Sequence, residues 1–308
     1  MPKQIVLIVG PTAVGKSSLA LALAKKVNGE IVSCDSMQIY KEIRIASNKP
    51  TDAQQRDVRH HLLDIVSIED EFNVAQYAAL AHEVIADIHQ RGGIPIVVGG
   101  SGFYVSVLLD GLFDGVGKQP LVRDALHRFM DEAGQQALYD LLKSRDPAAA
   151  AKIHANDVKR MIRALEVIEA QQQPISELQK NRTGGIWGKH DITLYALNRP
   201  RSDLYTRINQ RVDEMFAAGI VDEIVRLKNA PWSPTAKALI GVKEILGLLE
   251  GEYAEPHARE LMKLNTRHLA KRQLTWFRKD KRLTWIMLDN TKPPESVVDQ
   301  WTASLMRI

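Results

Sequence analysis

The sequence has 308 residues, of which 45% are hydrophobic and 25% are charged, a composition typical of an ordinary soluble protein with one large or two modest domains. Its single cysteine, Cys34, excludes a disulfide framework and a Cys-based zinc site, and no apolar run approaches the roughly 20 residues of a membrane span. We therefore expect a cytoplasmic protein without membrane contact, and the formal net charge of +4 permits an anionic partner without requiring one.

The first predicted element is a buried strand over Ile5–Val9, and an Ala- and Leu-rich helix is predicted from Lys16 onward. Between them lies the pattern G-x-x-x-x-G-K-S, which is typical of a phosphate-binding loop. In such a loop the lysine neutralises a terminal phosphate, and the Ser17 hydroxyl is placed for a Mg²⁺ ligand. The residues predicted to bind two linked phosphates are Gly10, Pro11, Thr12, Ala13, Val14, Gly15, Lys16 and Ser17.

The second predicted strand, Glu30–Cys34, runs into the polar residues Asp35, Ser36 and Gln38. The carboxyl edge of an open α/β sheet is where such folds bind ligands. Asp35 could bind Mg²⁺, act as a general base or cap the following turn. The Gln38 amide offers the paired donor and acceptor that suit an adenine edge.

A third short strand is predicted at His60–Val66, a helix at Val74–His89 and a buried strand at Ile94–Val98. The last strand leads into the glycine cluster Gly99–Gly102, which either allows close approach of a phosphate or base or forms a tight strand-to-helix turn. The alternation of strands and helices predicts a doubly wound parallel sheet through about residue 110.

Only helical patterns follow between Pro120 and about Gln173, after a glycine-punctuated loop at Gly111–Gly117 that could serve as a lid hinge. A strand pattern resumes at Ile192–Leu197, so we predict a helical insertion at 117–189 within an α/β core formed by 1–116 and 190–308. The predicted class is α/β, a P-loop-type doubly wound parallel sheet with an all-helical insertion domain and a helical C-terminal region. The remaining predicted elements are helices at 201–228, 235–250 and 256–279 and a strand at 283–288.

Many nucleotide hydrolases carry an apolar strand that ends in a Mg²⁺-binding acid, and here the only predicted strand that leads to an acid is the one before Asp35, unless the acid lies elsewhere in the sequence. The best candidate strand, Ile94–Val98, ends in glycines and serine. This argues against nucleotide hydrolysis but leaves a kinase open.

The region from Arg259 to Arg282 carries nine basic and two acidic residues. Like charges at helical spacing are unfavourable unless an anion meets them, although a solvated basic face is the usual alternative. His268, Trp276 and Phe277 lie among these charges and could stack near bases. A second basic patch, Lys159–Arg163 with Arg123 nearby, either contacts nucleic acid or pairs with Glu166 and Glu169.

Taken together, these stretches resemble the tRNA dimethylallyltransferase (tRNA isopentenyltransferase) family over nearly the whole chain. The resemblance is carried in order by Gly-Pro-Thr-Ala-Val-Gly-Lys-Ser, Asp-Ser-Met-Gln-Ile-Tyr, Lys49-Pro50, His60-His61-Leu, Val-Gly-Gly-Ser-Gly-Phe-Tyr, Asn-Asp-Val-Lys-Arg-Met-Ile-Arg-Ala-Leu-Glu-Val, the segment 207–213 and Lys-Arg-Gln-Leu-Thr-Trp-Phe-Arg. The sequence departs from the family pattern at Ala46–Asn48, at Ser101 in place of Thr, and at Val242 in place of a frequent Tyr.

The resemblance implies transfer of a dimethylallyl group from dimethylallyl diphosphate to N6 of the adenosine on the 3′ side of the tRNA anticodon. It implies Mg²⁺ as cofactor, the tRNA anticodon stem-loop as partner, a monomer, and catalytic roles for Asp35, Thr12 and Lys16. By the same resemblance, the residues expected to contact tRNA are Asp35, Ser36, Met37, Gln38, Ser101, Arg123, Lys159, Arg160, Met161, Ile162, Arg163, Ala238, Leu239, Ile240, Gly241, Val242, Lys243, Lys271, Arg272, Gln273, Leu274, Thr275, Trp276, Phe277 and Arg278.

Three other functions remain open from the residues alone. A nucleotide or small-metabolite kinase would have no need of the basic C-terminal helix. A prenyltransferase acting on free AMP or ADP would not accept tRNA. An RNA-binding module with a relic phosphate loop would bind tRNA without any chemistry.

Overall fold

The structure is a computed structural model, and it describes residues 3–113, 115, 117–289 and 294–305. The chain forms two compact units, one from Met1–Leu108 with Trp187–Ile308 and the other from Leu109–Ile186. The second unit thus begins and ends earlier than the predicted insertion at 117–189, and its first residues include the end of a helix and a short strand that precede residue 117.

The first part of the first unit alternates strands and helices. In strand β1 the apolar residues Ile5–Val9 are fully buried. Helix α3 is capped by Asn73, whose side chain accepts hydrogen bonds from two backbone N–H groups of the first helical turn. The elements are β1 (Gln4–Val9), α1 (Lys16–Val27), β2 (Gly29–Ser33), α2 (Asp52–Asp57), β3 (His60–His61), α3 (Val74–Gln90), β4 (Ile94–Gly99) and α4 (Gly102–Asp110).

The predicted strand at His60–Val66 is wrong beyond its first two residues. Leu62 and Asp64 have left-handed φ angles of 62° and 56°, so the chain turns where the apolar pattern suggested extension. Helix α2, which begins at a Thr51 capping box, was not predicted.

The second unit is mainly helical, and its core is built from apolar side chains of α6 and α8 such as Leu138, Leu142 and Met161. It is not entirely helical as predicted, because β5 and β6 form a short antiparallel ribbon. Residues 114 and 116 of the predicted hinge loop lie outside the described residues. The elements are β5 (Leu112–Phe113), α5 (Pro120–Ala133), α6 (Gln135–Arg145), α7 (Pro147–Ala150), α8 (Val158–Gln171), α9 (Ile175–Leu178) and β6 (Arg182–Thr183).

The chain then returns to the first unit. Two helices predicted as continuous are each broken at a left-handed glycine, at Gly219 (φ 90°) and Gly241 (φ 95°). The final helix, which packs Trp301 against Tyr195, was not predicted. The elements are β7 (Asp191–Asn198), α10 (Arg201–Ala217), α11 (Ile220–Arg226), α12 (Pro234–Lys237), α13 (Val242–Leu249), α14 (Glu255–Phe277), β8 (Thr284–Met287) and α15 (Pro294–Leu305).

The sheet of the first unit has the strand order β3-β2-β4-β1-β7-β8, with every neighbouring pair parallel. This confirms the predicted parallel α/β core. Because parallel strands end at the same edge, the loops that follow β1, β2 and β4 meet there. The phosphate loop, Asp35 and Gly99–Gly102 are therefore neighbours.

No helix in the described part of the chain is both long enough and apolar enough to cross a membrane.

Candidate active site

The phosphate loop folds back closely on the sheet. Gly10 has a φ of 143°, and a Cβ at this position would lie 2.6 Å from the Leu197 carbonyl oxygen, so only glycine fits. Gly15 has a φ of 111° and directly precedes α1. Lys16 donates hydrogen bonds from Nζ to the carbonyl oxygens of Gly10 (3.0 Å) and Pro11 (2.8 Å). The predicted loop thus folds closely around the Lys16 ammonium group, which is hydrogen-bonded to the backbone of the loop.

Three arginines, one directly after β7 and two on α10, contact the phosphate loop. Arg199 donates from Nε to the Val14 carbonyl oxygen and Arg207 from Nε to the Ala13 carbonyl oxygen, each at 2.9 Å. Arg211 Nη1 lies 3.3 Å from the Thr12 hydroxyl oxygen. Sequence reasoning assigned none of them to the site. The spacing of Arg207 and Arg211, one helical turn apart, was the available signal.

Asp35 follows β2 and accepts a hydrogen bond from the Met37 N–H at 2.9 Å. The neighbouring Ser36 N–H donates to the Ser101 hydroxyl oxygen at 3.0 Å, which joins the β2 and β4 loops. Burial raises the pKa of Asp35, although the Met37 hydrogen bond and the charge of Lys16 oppose it. The carboxylate therefore has a higher proton affinity than an exposed aspartate.

Burial also lowers the pKa of Lys16 to about 8. The nearby charge of Asp35 acts in the opposite direction, while the charge of Arg211 lowers this pKa further. A bound anion would favour the protonated form of Lys16. Binding of an anionic ligand would therefore raise the pKa of Lys16.

The Gln38 amide already has protein partners. Its Oε1 accepts from the Ser33 hydroxyl at 2.9 Å and its Nε2 donates to the Asn48 carbonyl oxygen at 3.2 Å. One N–H of the amide is thus left for a ligand. This arrangement fixes the orientation of the side chain at the cavity wall.

These residues surround a cavity of about 560 Å³ in the first unit. The cavity joins polar groups at the phosphate loop to apolar side chains such as Val98, Tyr104 and Met262. The residues predicted for the site that line it are Thr12, Lys16, Ser17, Asp35, Ser36, Met37, Gln38, Ser101, Ala238, Leu239, Ile240, Arg272, Gln273 and Trp276.

Some predicted tRNA contacts have side chains that face the protein interior. Val242 and Met161 are completely buried, Phe277 is 2% exposed and Ile162 is 4% exposed. Each packs in an apolar environment and is covered by protein atoms in this structure, and its predicted contact with RNA stays a prediction. Met161 and Ile162 on α8, Val242 on α13 and Phe277 on α14 each belong to the inward face of their helix.

Arg123 and Arg163 belong to the second unit and share a buried partner. Glu166 accepts from Arg123 Nε at 2.8 Å and from Arg163 Nη1 at 2.8 Å. Lys159 and Arg160 are exposed on the same helix. The pairing with Glu166 that the sequence left open is therefore present, and both arginines remain partly exposed.

The basic residues in the N-terminal half of α14 have polar or acidic partners within the protein. Lys263 lies 3.0 Å and Arg259 3.5 Å from an Asp213 carboxylate oxygen, and Arg267 donates to Asn209. Lys271 and Arg272 are exposed and have no acidic partner among the described residues. The uncompensated charge is thus concentrated beside the cavity, which Arg272 lines.

Gln273 contacts the phosphate loop directly. Its Oε1 accepts from the Thr12 N–H at 2.8 Å, and its Nε2 donates to the Gly100 carbonyl oxygen at 3.0 Å. One turn further on, Trp276 packs against Gly102 and meets Phe103 edge to face, with ring centroids 6.3 Å apart. The helix that carries the basic patch therefore rests on two loops of the site.

Among the described residues, no group of three or more His, Cys, Asp or Glu side chains could hold a metal ion. The Ser17 hydroxyl is exposed at the start of α1, beside the loop. A single hydroxyl suits Mg²⁺, which keeps several waters and is usually held together with substrate phosphates. The Ser17 hydroxyl is therefore a suitable ligand for a cation that binds together with a diphosphate.

Comparison with known proteins gives consistent matches. The family model described as IPP transferase matches residues 38–280. The tRNA dimethylallyltransferase of Thermoanaerobacter sp. is 44% identical over 301 residues, covering 96% of each chain, and that of Geobacter sulfurreducens is 44% identical over 285 residues, covering 92% of this chain and 91% of the relative.

Solved structures agree. The tRNA isopentenylpyrophosphate transferase of Bacillus halodurans has a TM-score of 0.69 at 36% identity, covering 99% of this chain and 100% of that one. A eukaryotic dimethylallyltransferase acting on tRNA has a TM-score of 0.78 at 29% identity, covering 99% of this chain and 78% of that one.

Proposed function

The chain belongs to the IPP transferase family of tRNA dimethylallyltransferases, and we propose that it transfers the dimethylallyl group of dimethylallyl diphosphate to N6 of the adenosine on the 3′ side of the tRNA anticodon. The observation that carries this proposal is that the phosphate loop and Asp35 line one cavity. A diphosphate held at the loop would leave its prenyl carbon facing a base beside the carboxylate.

In the reaction, the bond between C1 of the dimethylallyl group and the diphosphate oxygen breaks, and a bond from N6 to C1 forms. The diphosphate leaves with the electron pair, so negative charge grows on its oxygens. Lys16 supports this role because its ammonium group sits under the loop and can turn from the Gly10 and Pro11 carbonyl oxygens to the anion. Arg211 and the Thr12 hydroxyl, which line the same cavity, add further donors.

Asp35 is the proposed acceptor of the N6 proton. Its pKa is raised by burial, which makes it a better base than an exposed aspartate at the same pH. The Met37 N–H holds one carboxylate oxygen and fixes the orientation of the group. The proton released from N6 then moves to Asp35 as the new carbon–nitrogen bond forms.

We propose Mg²⁺ as the cofactor, held by the Ser17 hydroxyl together with diphosphate oxygens. When bound, it would neutralise part of the charge on the leaving group. The exposure of Ser17 at the loop supports this assignment.

The tRNA is proposed to approach over Lys271, Arg272 and Trp276, which border the cavity or lie beside it. The target adenosine must leave the stack of the anticodon loop, and an unpaired loop base can be extruded at little cost. We also propose a cytoplasmic location, because tRNA is the proposed substrate.

The decisive experiment is nucleoside mass analysis of an anticodon stem-loop after reaction with labelled dimethylallyl diphosphate. The expected product is prenylated adenosine at the position 3′ to the anticodon, and a stem-loop with guanosine there should remain unmodified. Parallel reactions with ATP as donor and with free AMP as acceptor test the kinase and the adenylate prenyltransferase. Phosphoryl transfer from ATP, or modification of AMP without that of RNA, would overturn the proposal.

A further inference from the structure

The side chain of Gln273 belongs to the tRNA-facing helix α14 but is not turned toward the exterior. It bridges the backbones of two loops, with Oε1 on the Thr12 N–H and Nε2 on the Gly100 carbonyl oxygen. The fit is close, since a Cβ at Gly100 would collide with Gln273 Nε2. Both ends of the amide are therefore committed to the site's own framework.

The Thr12 N–H is one of the backbone groups of the phosphate loop, the class of donors that cradles a phosphate. Its position is set by an atom of α14. Any motion of this helix relative to the sheet would therefore shift the Thr12 N–H or release it from Gln273.

The same helix carries the exposed basic residues. Arg272 is the immediate neighbour of Gln273, and Lys271 precedes it. Trp276 lies one turn later against Gly102. An RNA bound to Lys271 and Arg272 would restrain the helix on which Gln273 is mounted.

We infer that Gln273 is a positioning residue through which tRNA binding at α14 orders the diphosphate site, so that each substrate raises the affinity for the other. This inference rests on the proposed function. A ligand that rigidifies a shared element lowers the ordering cost for a second ligand, and the gain is reciprocal by thermodynamic linkage. It also reassigns Gln273, which the family resemblance placed among the tRNA contacts.

The test measures the dissociation constant of an anticodon stem-loop RNA for the full chain with and without saturating inorganic diphosphate and Mg²⁺. For the wild type we expect diphosphate to tighten RNA binding about 10-fold, within the range usual for coupled sites. RNA should tighten diphosphate binding by the same factor.

Gln273→Leu keeps the approximate shape of the side chain but removes both hydrogen bonds. The ratio of the RNA dissociation constants without and with diphosphate should then fall to about 1, while RNA affinity without diphosphate stays within about twofold of the wild type. Gln300→Leu, at an exposed glutamine of α15, should keep the full ratio. Gln273→Glu retains an acceptor for the Thr12 N–H and should keep part of the ratio. Any repulsion of diphosphate by the new carboxylate acts with and without RNA and cancels in that ratio.

A wild-type ratio of 1, or an unchanged ratio in Gln273→Leu, would overturn the inference. Loss of RNA affinity in Gln273→Leu without diphosphate would make Gln273 a tRNA contact instead. If thermal melting shows that Gln273→Leu is unfolded, Gln273→Glu replaces it in the test. A full wild-type ratio in Gln273→Glu would then overturn the inference. Failure of the proposed function is distinguishable, because it would appear as absence of prenylated adenosine in the wild type.

Discussion

The guanidinium group of Arg211 lies 3.3 Å from the hydroxyl oxygen of Thr12, although 199 positions separate the two residues in the chain. Arg211 lies on α10, beyond the inserted second unit, and Thr12 lies in the loop after β1. The proposed anion site therefore includes a residue of a helix that lies outside the phosphate-loop motif. Burial lowers the pKa of Arg211, as expected for a cation held in the protein until an anion compensates it.

Arg211→Ala should lower kcat roughly 100-fold and raise KM for dimethylallyl diphosphate, because a donor to the departing diphosphate is lost. Arg201→Ala, at an exposed arginine of the same helix, is the matched control and should behave as wild type. Steady-state kinetics with varied dimethylallyl diphosphate provide the measurement. A normal kcat in Arg211→Ala would remove this residue from the site.

Asp35→Asn should lower kcat roughly 10²- to 10⁴-fold, since the general base is lost while the side-chain shape is kept. The affinity for an anticodon stem-loop should change less than about twofold. Single-turnover rates and RNA binding, measured on the same preparation, separate the two effects. A large loss of RNA affinity with little loss of rate would show that Asp35 binds rather than reacts.

The affinity for a non-hydrolysable dimethylallyl diphosphate analogue should decrease above about pH 8. Burial lowers the pKa of Lys16 to about 8, so in the free protein the ammonium loses its proton above this pH and the attraction to the anion is lost. The decrease should approach tenfold per pH unit. In Lys16→Arg the side chain stays protonated, so this decrease should disappear whatever the absolute affinity. Equal pH profiles for both proteins would contradict the assignment.

Replacing Lys271 and Arg272 by Ala should weaken tRNA binding and reduce the slope of log affinity against log salt by about 1 to 2. The physical reason is that fewer counterions are released from the RNA when fewer phosphates are neutralised. The control is Arg259→Ala with Lys263→Ala on the same helix, where Asp213, Glu255 and Glu260 already form ion pairs with the two basic side chains. Binding isotherms at several salt concentrations should show an unchanged slope for this second pair.

Glu166→Gln should destabilise the second unit by about 3 kcal/mol, because two arginines lose a buried anionic partner. The pKa of Glu166 is about 2 against an ordinary 4.5, since hydrogen bonds from Arg123, the Gln119 N–H and Arg163 outweigh its burial. The stability it adds is therefore present above pH 4.5 and is lost as the pH falls toward 2.

Hydrogen exchange of α8 at several pH values measures this effect. Glu169→Gln, at an exposed position of the same helix, should leave exchange nearly unchanged. If Glu166→Gln exchanged at the wild-type rate, the buried ion pair would contribute nothing.

Local patterns predicted what depends on neighbours in the chain. The strand at Ile5–Val9 and the glycine turn that follows it have strong local signals, and both are present. Long-range partners could not be read in this way. The contact of Gln273 with the Thr12 N–H joins positions 261 apart, and no periodicity reports it. The basic stripe of α14 was read as unbalanced because Asp213, which neutralises part of it, lies on another helix.

The ribbon of β5 and β6 keeps both ends of the second unit side by side, since Leu112 pairs with Thr183 and Phe113 with Arg182. A segment whose two ends already meet can be excised or exchanged for another of different length while the path of the flanking chain stays nearly the same. Variation in the size of this helical unit is therefore a route by which relatives could diverge without redesign of the sheet.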